Sequence, residues 1–138
     1  MKISTYMFFE DQSRAALTFY QQVLGGELEA MMTFADVPES EGLDVPPAFR
    51  DRIMHGCLRL ENHLLMASDS MPGQPYEGIR GCSITLSPDS VADGERLFAA
   101  LAEGGRVEMP LAQTFWALRF GSLVDRFGVS WMINCETP

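Results

Sequence analysis

The sequence has few positive charges, and this scarcity excludes several classes of partner. Lys and Arg together number 10 against 19 Asp and Glu in 138 residues, which gives a net charge of −9 at neutral pH. Nucleic-acid phosphates and anionic membrane surfaces are both bound by clustered Lys and Arg. We therefore expect neither a nucleic-acid partner nor a membrane partner.

Cysteines and long apolar runs are also scarce. Cys57, Cys82 and Cys135 are far apart, and no pair has the C-x-x-C spacing of a zinc or redox motif. The apolar run at the N-terminus is interrupted at Glu10 and Asp11, before it reaches the length of a signal peptide or a membrane span. The sequence thus predicts reduced thiols and a cytoplasmic protein.

No glycine-rich turn connects a strand to a helix. The Gly-Gly pairs at 25–26 and 104–105 follow predicted helices instead. A Rossmann-type methyltransferase needs such a turn to hold its cofactor, and its parallel sheet needs a longer chain. The sequence therefore does not predict a methyltransferase of this type.

The apolar periodicity predicts the order βαβββ twice. The first set comprises strand 3–9, a helix capped by Asp11 or Ser13 and ending at Leu24, and strands 27–34, 53–60 and 63–68. The second comprises strand 82–86, a helix capped by Ser87 with Pro88 first, and strands 107–113, 115–124 and 129–135. We interpret residues 1–138 as one domain, with modules at 1–71 and 79–138 and a linker at 72–78.

Two local features bear on this interpretation. "FYQQVLGGELE" (19–29) resembles "LFAALAEGGRVE" (97–108), which favours a true repeat, although any two capped helices that end in Gly-Gly would look similar. Segment 36–52 is acidic and contains prolines without helical or strand periodicity. It is predicted to be a surface insertion, and a protein-interaction role for it is a weaker alternative.

Three stretches carry a resemblance to a known family: "ALTFYQQVLGGEL" (16–28), "LLMASDSMPG" (64–73) and "QTFWALRFGSLVDRFGVSWMIN" (113–134). They resemble the PhnB-like branch of the vicinal oxygen chelate superfamily, which includes glyoxalases, bleomycin resistance proteins and extradiol dioxygenases. This branch is often labelled demethylubiquinone methyltransferase-like. The resemblance implies an α+β fold in which two βαβββ modules form an open eight-stranded barrel-like cleft, usually in a homodimer.

The resemblance also implies where a metal ion would bind. Catalytic members of the superfamily place a His, Gln or Glu ligand on each of the first, fourth, fifth and eighth strands. Here those positions hold Ser4 or Thr5, Leu65 or Met66, Ser83, and Met132. These side chains are poor ligands for a divalent metal, so we expect no metal and no other cofactor.

Alternation along the first, fifth and eighth strands predicts which side chains line the cleft, and we add Trp116 and Arg119 from the seventh predicted strand. The predicted ligand-binding set is Tyr6, Phe8, Asp69, Ser83, Trp116, Arg119, Met132 and Asn134. For Asp69, a structural role in its turn is an equal alternative to a place at the rim of the cleft. Asp125 is predicted to cap backbone N–H groups in the last turn, and His55 and His63 are predicted to be surface or hydrogen-bonded residues.

These features predict a protein that binds a small amphipathic organic molecule without the metal ion of the superfamily. The alternative is a lyase, isomerase or dioxygenase with a non-standard metal site or an acid/base site, for which Asp69 is a candidate base. The sequence identifies neither the ligand nor a catalytic residue.

Overall fold

The chain forms two compact units, residues 1–78 and 79–138, in the computed structural model, which describes all 138 residues. The first contains β1 (Thr5–Phe9), α1 (Ser13–Leu24), β2 (Glu27–Thr33), β3 (Ile53–Leu60) and β4 (His63–Asp69). The second contains β5 (Ile84–Leu86), α2 (Val91–Ala102), β6 (Arg106–Ala112), β7 (Arg119–Val124) and β8 (Ser130–Cys135). The predicted βαβββ order is therefore confirmed in both units.

Each unit contains one four-stranded mixed sheet. The strand orders are β1-β4-β3-β2 and β5-β8-β7-β6. The first strand of each unit runs parallel to the last, and the remaining neighbours are antiparallel. The helix that follows the first strand packs on one face of the sheet, which leaves the opposite face free of helices. We call this second face the open face.

The two helices bury the same pattern of positions. The buried residues of α1 are Ser13, Ala16, Leu17 and Tyr20, and those of α2 are Gly94, Leu97, Phe98 and Leu101. Both sets have the spacing i, i+3, i+4, i+7, which places one stripe of side chains against the sheet. No helix of the chain is long and apolar enough to cross a membrane.

The Gly-Gly pairs lie at equivalent places, directly before the first residues of β2 and β6. Gly26 has φ = +87°, and a Cβ atom there would collide with the carbonyl oxygen of Arg59. A Cβ on Gly105 would collide with the carbonyl oxygen of Val124. These two carbonyls belong to the residues that pair with Glu27 and Arg106, the first residues of β2 and β6.

Both predicted helix caps were wrong. No side chain of the preceding loop caps α1; instead, Asp69 Oδ1 from β4 accepts a hydrogen bond from Ser13 N at 3.0 Å. Helix α2 begins three residues later than predicted, because Ser90 rather than Ser87 is its N-cap and accepts from Asp93 N at 3.1 Å. In the first case a residue distant in sequence replaces the local cap, which a local pattern cannot indicate.

The predicted start of β7 at Phe115 was also wrong. Thr114 and Ala117 form a turn, since Thr114 N donates to Ala117 O at 3.1 Å and Thr114 Oγ1 accepts from Ala117 N at 3.1 Å. The strand therefore starts at Arg119. The other strand ends lie within two residues of the predicted ones, and segment 36–52 contains only short 3-10 turns.

Candidate ligand-binding surfaces

Two aromatic side chains mark the open face of the first sheet. Tyr6 and Phe8 alternate along β1 with the buried Met7 and Phe9, and their rings lie 5.2 Å apart. Phe8 is 59% exposed. Aromatic side chains left this accessible on a sheet face are available for contact with another molecule.

His55 joins this aromatic pair and was not included in the predicted site. Its Nδ1 lies 2.9 Å from the Tyr6 hydroxyl, and the two rings are 5.7 Å apart. Burial raises the pKa of Tyr6, and this effect is opposed by a hydrogen bond with Ser68 on β4. Burial therefore favours the neutral phenol beside His55. One sequence signal could have placed His55 on this face. Along β3, His55 and Cys57 alternate with Gly56 and Leu58, which face α1.

The second histidine lies on the other face of the same sheet. His63 begins β4 on the side of the buried Leu65, and its Nε2 is 2.9 Å from Thr5 Oγ1. His55 lies on the open side of β3, so the sheet separates the two imidazoles. A metal site that uses both histidines is incompatible with this arrangement.

Asp69 lies on the helix-covered face and is 3% exposed. Its Oδ1 accepts from Ser13 N, and its Oδ2 accepts from Ile53 N at 2.7 Å. The carboxylate thus holds the start of α1 and the start of β3 together. Because both oxygens serve backbone amides, the geometry favours the structural alternative for Asp69, and we omit it from the proposed site below.

A depression of about 580 Å³ lies on the open face of the second sheet. We call it the β5–β8 depression. It brings together Ser83 and Met132 from the predicted set. The full lining is Ile79, Arg80, Gly81, Cys82, Ser83, Thr85, Arg106, Val124, Gly128, Ser130 and Met132.

The alternation of β8 aims Met132 into this depression. Trp131 and Ile133 are fully buried, and a Cβ on Gly94 of α2 would lie 3.5 Å from Ile133 Cγ2. Met132 between them is half-buried on the opposite side and pairs with Thr85 of β5. Ser130 shares the face of Met132, and its Oγ lies 2.6 Å from Ser83 Oγ.

Trp116 and Asn134 form a second group on the same unit. Trp116 Nε1 donates to Asn134 Oδ1 at 3.2 Å, and the indole lies 5.2 Å from the Phe120 ring in an edge-to-face arrangement. The turn at Thr114 presents Trp116 and Phe115, which are 49% and 98% exposed. These side chains do not line the β5–β8 depression.

Arg119 does not share the face of Met132. It pairs with the buried Cys135, and its Nε lies 3.9 Å from Glu95 Oε1 on α2. The guanidinium thus lies on the helix-covered side of the sheet, where Arg119 Nη1 also donates to Leu118 O. We omit Arg119 from the proposed site for this reason.

The last buried carboxylate serves the turn between β7 and β8. Asp125 Oδ1 accepts from Phe127 N at 2.8 Å and from Val129 N at 3.0 Å. Its Oδ2 accepts from Trp131 Nε1 at 2.8 Å. The predicted capping role of Asp125 is confirmed, and the carboxylate also satisfies the only polar atom of the buried indole.

The side chains that could hold a metal ion are dispersed. The structure contains no group of three or more His, Cys, Asp or Glu side chains placed to hold one. On the first sheet, Thr5 and Leu65 pair on the helix-covered side, whereas Tyr6 and Met66 pair on the open side. On neither side of the sheet do the paired residues of β1 and β4 both carry a side chain that binds divalent metals well.

Comparison with known proteins identifies the family. The family described as 3-demethylubiquinone-9 3-methyltransferase matches residues 1–134. The chain belongs to this family. Protein YjdN of Escherichia coli (strain K12) is 34% identical over 143 residues, which cover 97% of this chain and 95% of YjdN.

Solved structures agree with the family assignment. Protein PA1353 from Pseudomonas aeruginosa is 53% identical, with a TM-score of 0.92 and coverage of 100% of this chain and 99% of that one. A protein from Bacillus cereus, described as a putative 3-demethylubiquinone-9 3-methyltransferase and PhnB protein, is 22% identical, with a TM-score of 0.80 and coverage of 98% of this chain and 99% of that one. The predicted PhnB-like branch and α+β class are confirmed.

More distant neighbours show the fold alone. A glyoxalase-related enzyme from Fulvimarina pelagi is 12% identical, with a TM-score of 0.59 and coverage of 98% of this chain and 88% of that one. TnmS3, an antibiotic binding protein from Streptomyces sp. CB03234, is 20% identical, with a TM-score of 0.57 and coverage of 99% and 98%. The fold of this family is therefore shared by proteins described as an enzyme and as a binding protein.

Proposed function

We propose that this protein binds a small organic molecule on the open face of its second sheet, without the metal ion of the superfamily. The observation that carries the proposal is the β5–β8 depression, where Met132 lies beside the hydroxyls of Ser83 and Ser130. A volume of about 580 Å³ is in the range of small-molecule sites. The antibiotic-binding neighbour supports a binding role for this fold.

The family description does not by itself support methyl transfer here. Transfer of a methyl group from S-adenosylmethionine in a Rossmann-type enzyme uses a glycine-rich turn between a strand and a helix of a parallel sheet. The Gly-Gly pairs of this chain follow helices, and its sheets are mixed. We infer that the binding proposal accounts better for the residues present.

Fluorescence titration with N-phenyl-1-naphthylamine, a neutral apolar probe, tests the proposal. We expect a saturable increase in emission with the wild type and binding about tenfold weaker for Met132→Asp, because a carboxylate replaces an apolar contact. Met109→Asp is the matched control, since Met109 is 48% exposed and lies outside the depression. Absence of saturable binding, or equal loss in both variants, would contradict the proposal.

We also propose that the protein is a homodimer in the cytoplasm. Phe115 is 98% exposed next to the half-exposed Trp116, and exposed aromatic patches commonly mark interfaces. Light scattering should give twice the 15.3 kDa chain mass, and Phe115→Ser should shift the protein toward monomer. A wild-type monomer at every micromolar concentration would exclude the dimer.

One observation favours an enzyme as the second candidate. The Tyr6 hydroxyl and His55 Nδ1 lie 2.9 Å apart on the open face of the first sheet, an arrangement that can relay a proton to or from a ligand oxygen or carbon. This pair replaces Asp69 as the acid/base candidate. Deuterium incorporation from D₂O beside the carbonyl of hydroxyacetone, accelerated by wild type and lost in His55→Gln, would favour this candidate over simple binding.

A further inference from the structure

The β5–β8 depression differs in charge from the rest of the molecule. The chain carries 19 Asp and Glu residues and a net charge of −9. None of these carboxylates lines the depression, whereas Arg80 and Arg106 both do. The surface around Met132 is therefore a local positive region on an acidic protein.

Arg80 has no protein partner. No carboxylate of the chain pairs with it. On the first unit, by contrast, Arg59 forms ion pairs with both Glu27 and Glu29. Two carboxylates thus pair with Arg59, whereas the guanidinium of Arg80 at the depression remains available to a ligand.

Arg106 is only partly engaged. Its Nε donates to Glu108 Oε1 at 2.9 Å, and the structure shows no partner for its two terminal nitrogens. The pair with Glu108 lowers the net charge that Arg106 contributes but leaves N–H donors for another acceptor. We therefore expect Arg80 to contribute more than Arg106 to the binding of an anion.

The hydroxyls of the depression add further donors. Ser83 Oγ and Ser130 Oγ are 2.6 Å apart, so one hydroxyl proton lies between them and the other remains for a ligand. Thr85, which pairs with Met132, adds a third hydroxyl to the lining. Guanidinium and hydroxyl donors together match the acceptor oxygens of an oxyanion.

The same depression has an apolar side. Ile79, Val124 and Met132 contribute apolar atoms to the lining. A free inorganic anion would leave these side chains without contacts. An organic anion would fill both parts, with its charged group toward Arg80 and its carbon skeleton toward Met132.

We propose that the β5–β8 depression recognises the oxyanion of a small organic molecule, a carboxylate or phosphoryl group, with Arg80 as its main contact. This inference deepens the proposed binding function and rests on it. It adds the chemical class of the ligand and names Arg80, Arg106 and Ser130, none of which was in the predicted site.

Two probes with one carbon skeleton separate the inference from the function on which it rests. 8-Anilino-1-naphthalenesulfonate carries an oxyanion, and N-phenyl-1-naphthylamine lacks it. We expect wild type to bind the sulfonate about tenfold more tightly, since charge-assisted hydrogen bonds are worth about that factor. Arg80→Gln should weaken sulfonate binding about tenfold and leave binding of the neutral probe unchanged.

The remaining variants localise the effect. Arg106→Gln should weaken sulfonate binding by less than Arg80→Gln does. Arg96→Gln removes the same charge from α2 of the same unit, outside the depression, and should have no effect beyond experimental error. Displacement of the sulfonate by benzoate but not by phenyl phosphate would assign a carboxylate ligand, and the reverse would assign a phosphoryl ligand.

The outcomes distinguish two failures. Equal affinity of wild type for both probes, unchanged in Arg80→Gln, would overturn the oxyanion inference while the binding proposal stands. Absence of saturable binding for either probe would overturn the binding proposal and the inference with it. A weakening in Arg96→Gln equal to that in Arg80→Gln would show a net-charge effect and also overturn the inference.

Discussion

The two units of this chain share a topology but not the chemistry of their open faces. Both have the strand order first, fourth, third, second, and both bury helix positions at i, i+3, i+4 and i+7. The open face of the first sheet carries Tyr6, Phe8 and His55, whereas that of the second carries Met132 with hydroxyls and arginines. Two sheets of the same topology therefore present an aromatic surface in one unit and, in the other, a donor-rich depression next to the group of Trp116, Phe120 and Asn134.

This difference follows from which positions the fold constrains. Side chains between helix and sheet must fill a shared interior, so both units use mainly apolar residues and glycine there. Side chains on the open faces meet no helix, and their identity is free to follow a ligand. The open faces are thus where the side-chain chemistry of the two halves diverges.

The units also place their buried carboxylates differently. Asp69 links α1 and β3 through two backbone amides, and Asp125 closes the β7–β8 turn through two amides and an indole. Both carboxylates are 3% exposed. The same residue type thus stabilises a helix start in one unit and a hairpin in the other.

The largest effect is expected from removing these carboxylates. Asp125→Ala leaves three N–H donors without this acceptor and should cost roughly 3–5 kcal/mol of the free energy of unfolding, since each buried unsatisfied group costs about 1–3 kcal/mol. Asp69→Ala, which affects two donors, should cost roughly 2–4 kcal/mol on the same scale. Urea unfolding followed by far-UV circular dichroism measures both losses.

Tryptophan fluorescence reports on the second unit alone. Trp116 and Trp131, the only tryptophans of the chain, both lie in the second unit. Their fluorescence should therefore follow Asp125→Ala directly. The exposed Asp11 and Asp89 provide control substitutions to Ala, one in each unit. A loss in these controls equal to that of Asp125→Ala would contradict the role given to the buried carboxylates.

The next largest effect on stability is expected from two glycines at the contact between helix and sheet, Gly94 in α2 and Gly56 in β3. A Cβ on Gly94 would collide with Cys135 Sγ, a short side chain that is fully buried. A Cβ on Gly56 would lie 2.6 Å from Leu17 Cδ1, the far end of a flexible side chain. Overpacking costs about 1–3 kcal/mol, so Gly94→Ala should lower the free energy of unfolding by more than Gly56→Ala does.

Thermal unfolding of these two variants sharpens the comparison. Alanine favours a helix over glycine by about 1 kcal/mol, and this gain applies to Gly94 in α2 but not to Gly56 in β3. An increase in stability for Gly94→Ala would mean that the side chain of Cys135 moves aside at little cost. The contact between α2 and β8 would then be looser than the geometry indicates.

The sequence predicted the repeated topology because periodicity reports burial directly. Met132 and its neighbours on β8 alternate in burial along a six-residue strand. A strand with one buried face produces this two-residue periodicity of apolar residues in the sequence. The cap of α1 could not be predicted in this way, because its donor group meets Asp69, which lies 56 positions later in the chain.

The candidate site was harder to predict than the fold for a related reason. Arg119 was included with Trp116 on a strand predicted to begin at Phe115, but β7 begins at Arg119, which shares the helix-covered side with Gly121 and Leu123. Arg80 was missed because it lies in an irregular segment just before β5, where no periodicity assigns a face. Only the folded chain shows which irregular residues border a depression.

A smaller effect is expected from alkaline pH. Burial raises the pKa of Cys57 and of Cys135 above the ordinary value near 9.0, and Glu29 adds to the rise for Cys57 while Arg119 opposes it for Cys135. The folded protein therefore keeps these protons at a pH at which the unfolded chain releases them. The contribution of Cys57 and Cys135 to the free energy of unfolding is complete below pH 9. It is lost as the pH rises through the pKa values of the two thiols in the folded protein.

Urea midpoints measured at increasing pH test this expectation. The midpoint should fall above pH 9, and Cys57→Ala or Cys135→Ala should reduce the slope. Cys82 is exposed, so Cys82→Ala is the matched control and should leave the slope unchanged. An identical slope in all three variants would assign the alkaline loss to other groups, such as Tyr6, whose pKa is also raised by burial.

The smallest effect is a gain of metal affinity on the second unit. The resemblance to the superfamily predicts that Ser83 and Met132 occupy two positions where catalytic members carry ligands, and both side chains line the β5–β8 depression. Thr85 pairs directly with Met132, while Ser83 contacts Ser130 two residues earlier. His and Glu side chains on paired strands can share a divalent ion, but two ligands alone bind it weakly.

Calorimetric titration with Ni²⁺ should therefore detect weak binding to the double variant Ser83→His with Met132→Glu. Thr85→His with Met132→Glu should bind more tightly, because directly paired Cβ atoms are closer than diagonal ones. The single variant Met132→Glu is the control, and its response should match wild type. A flat response from both double variants would show that the side chains at positions 83, 85 and 132 do not converge on one point.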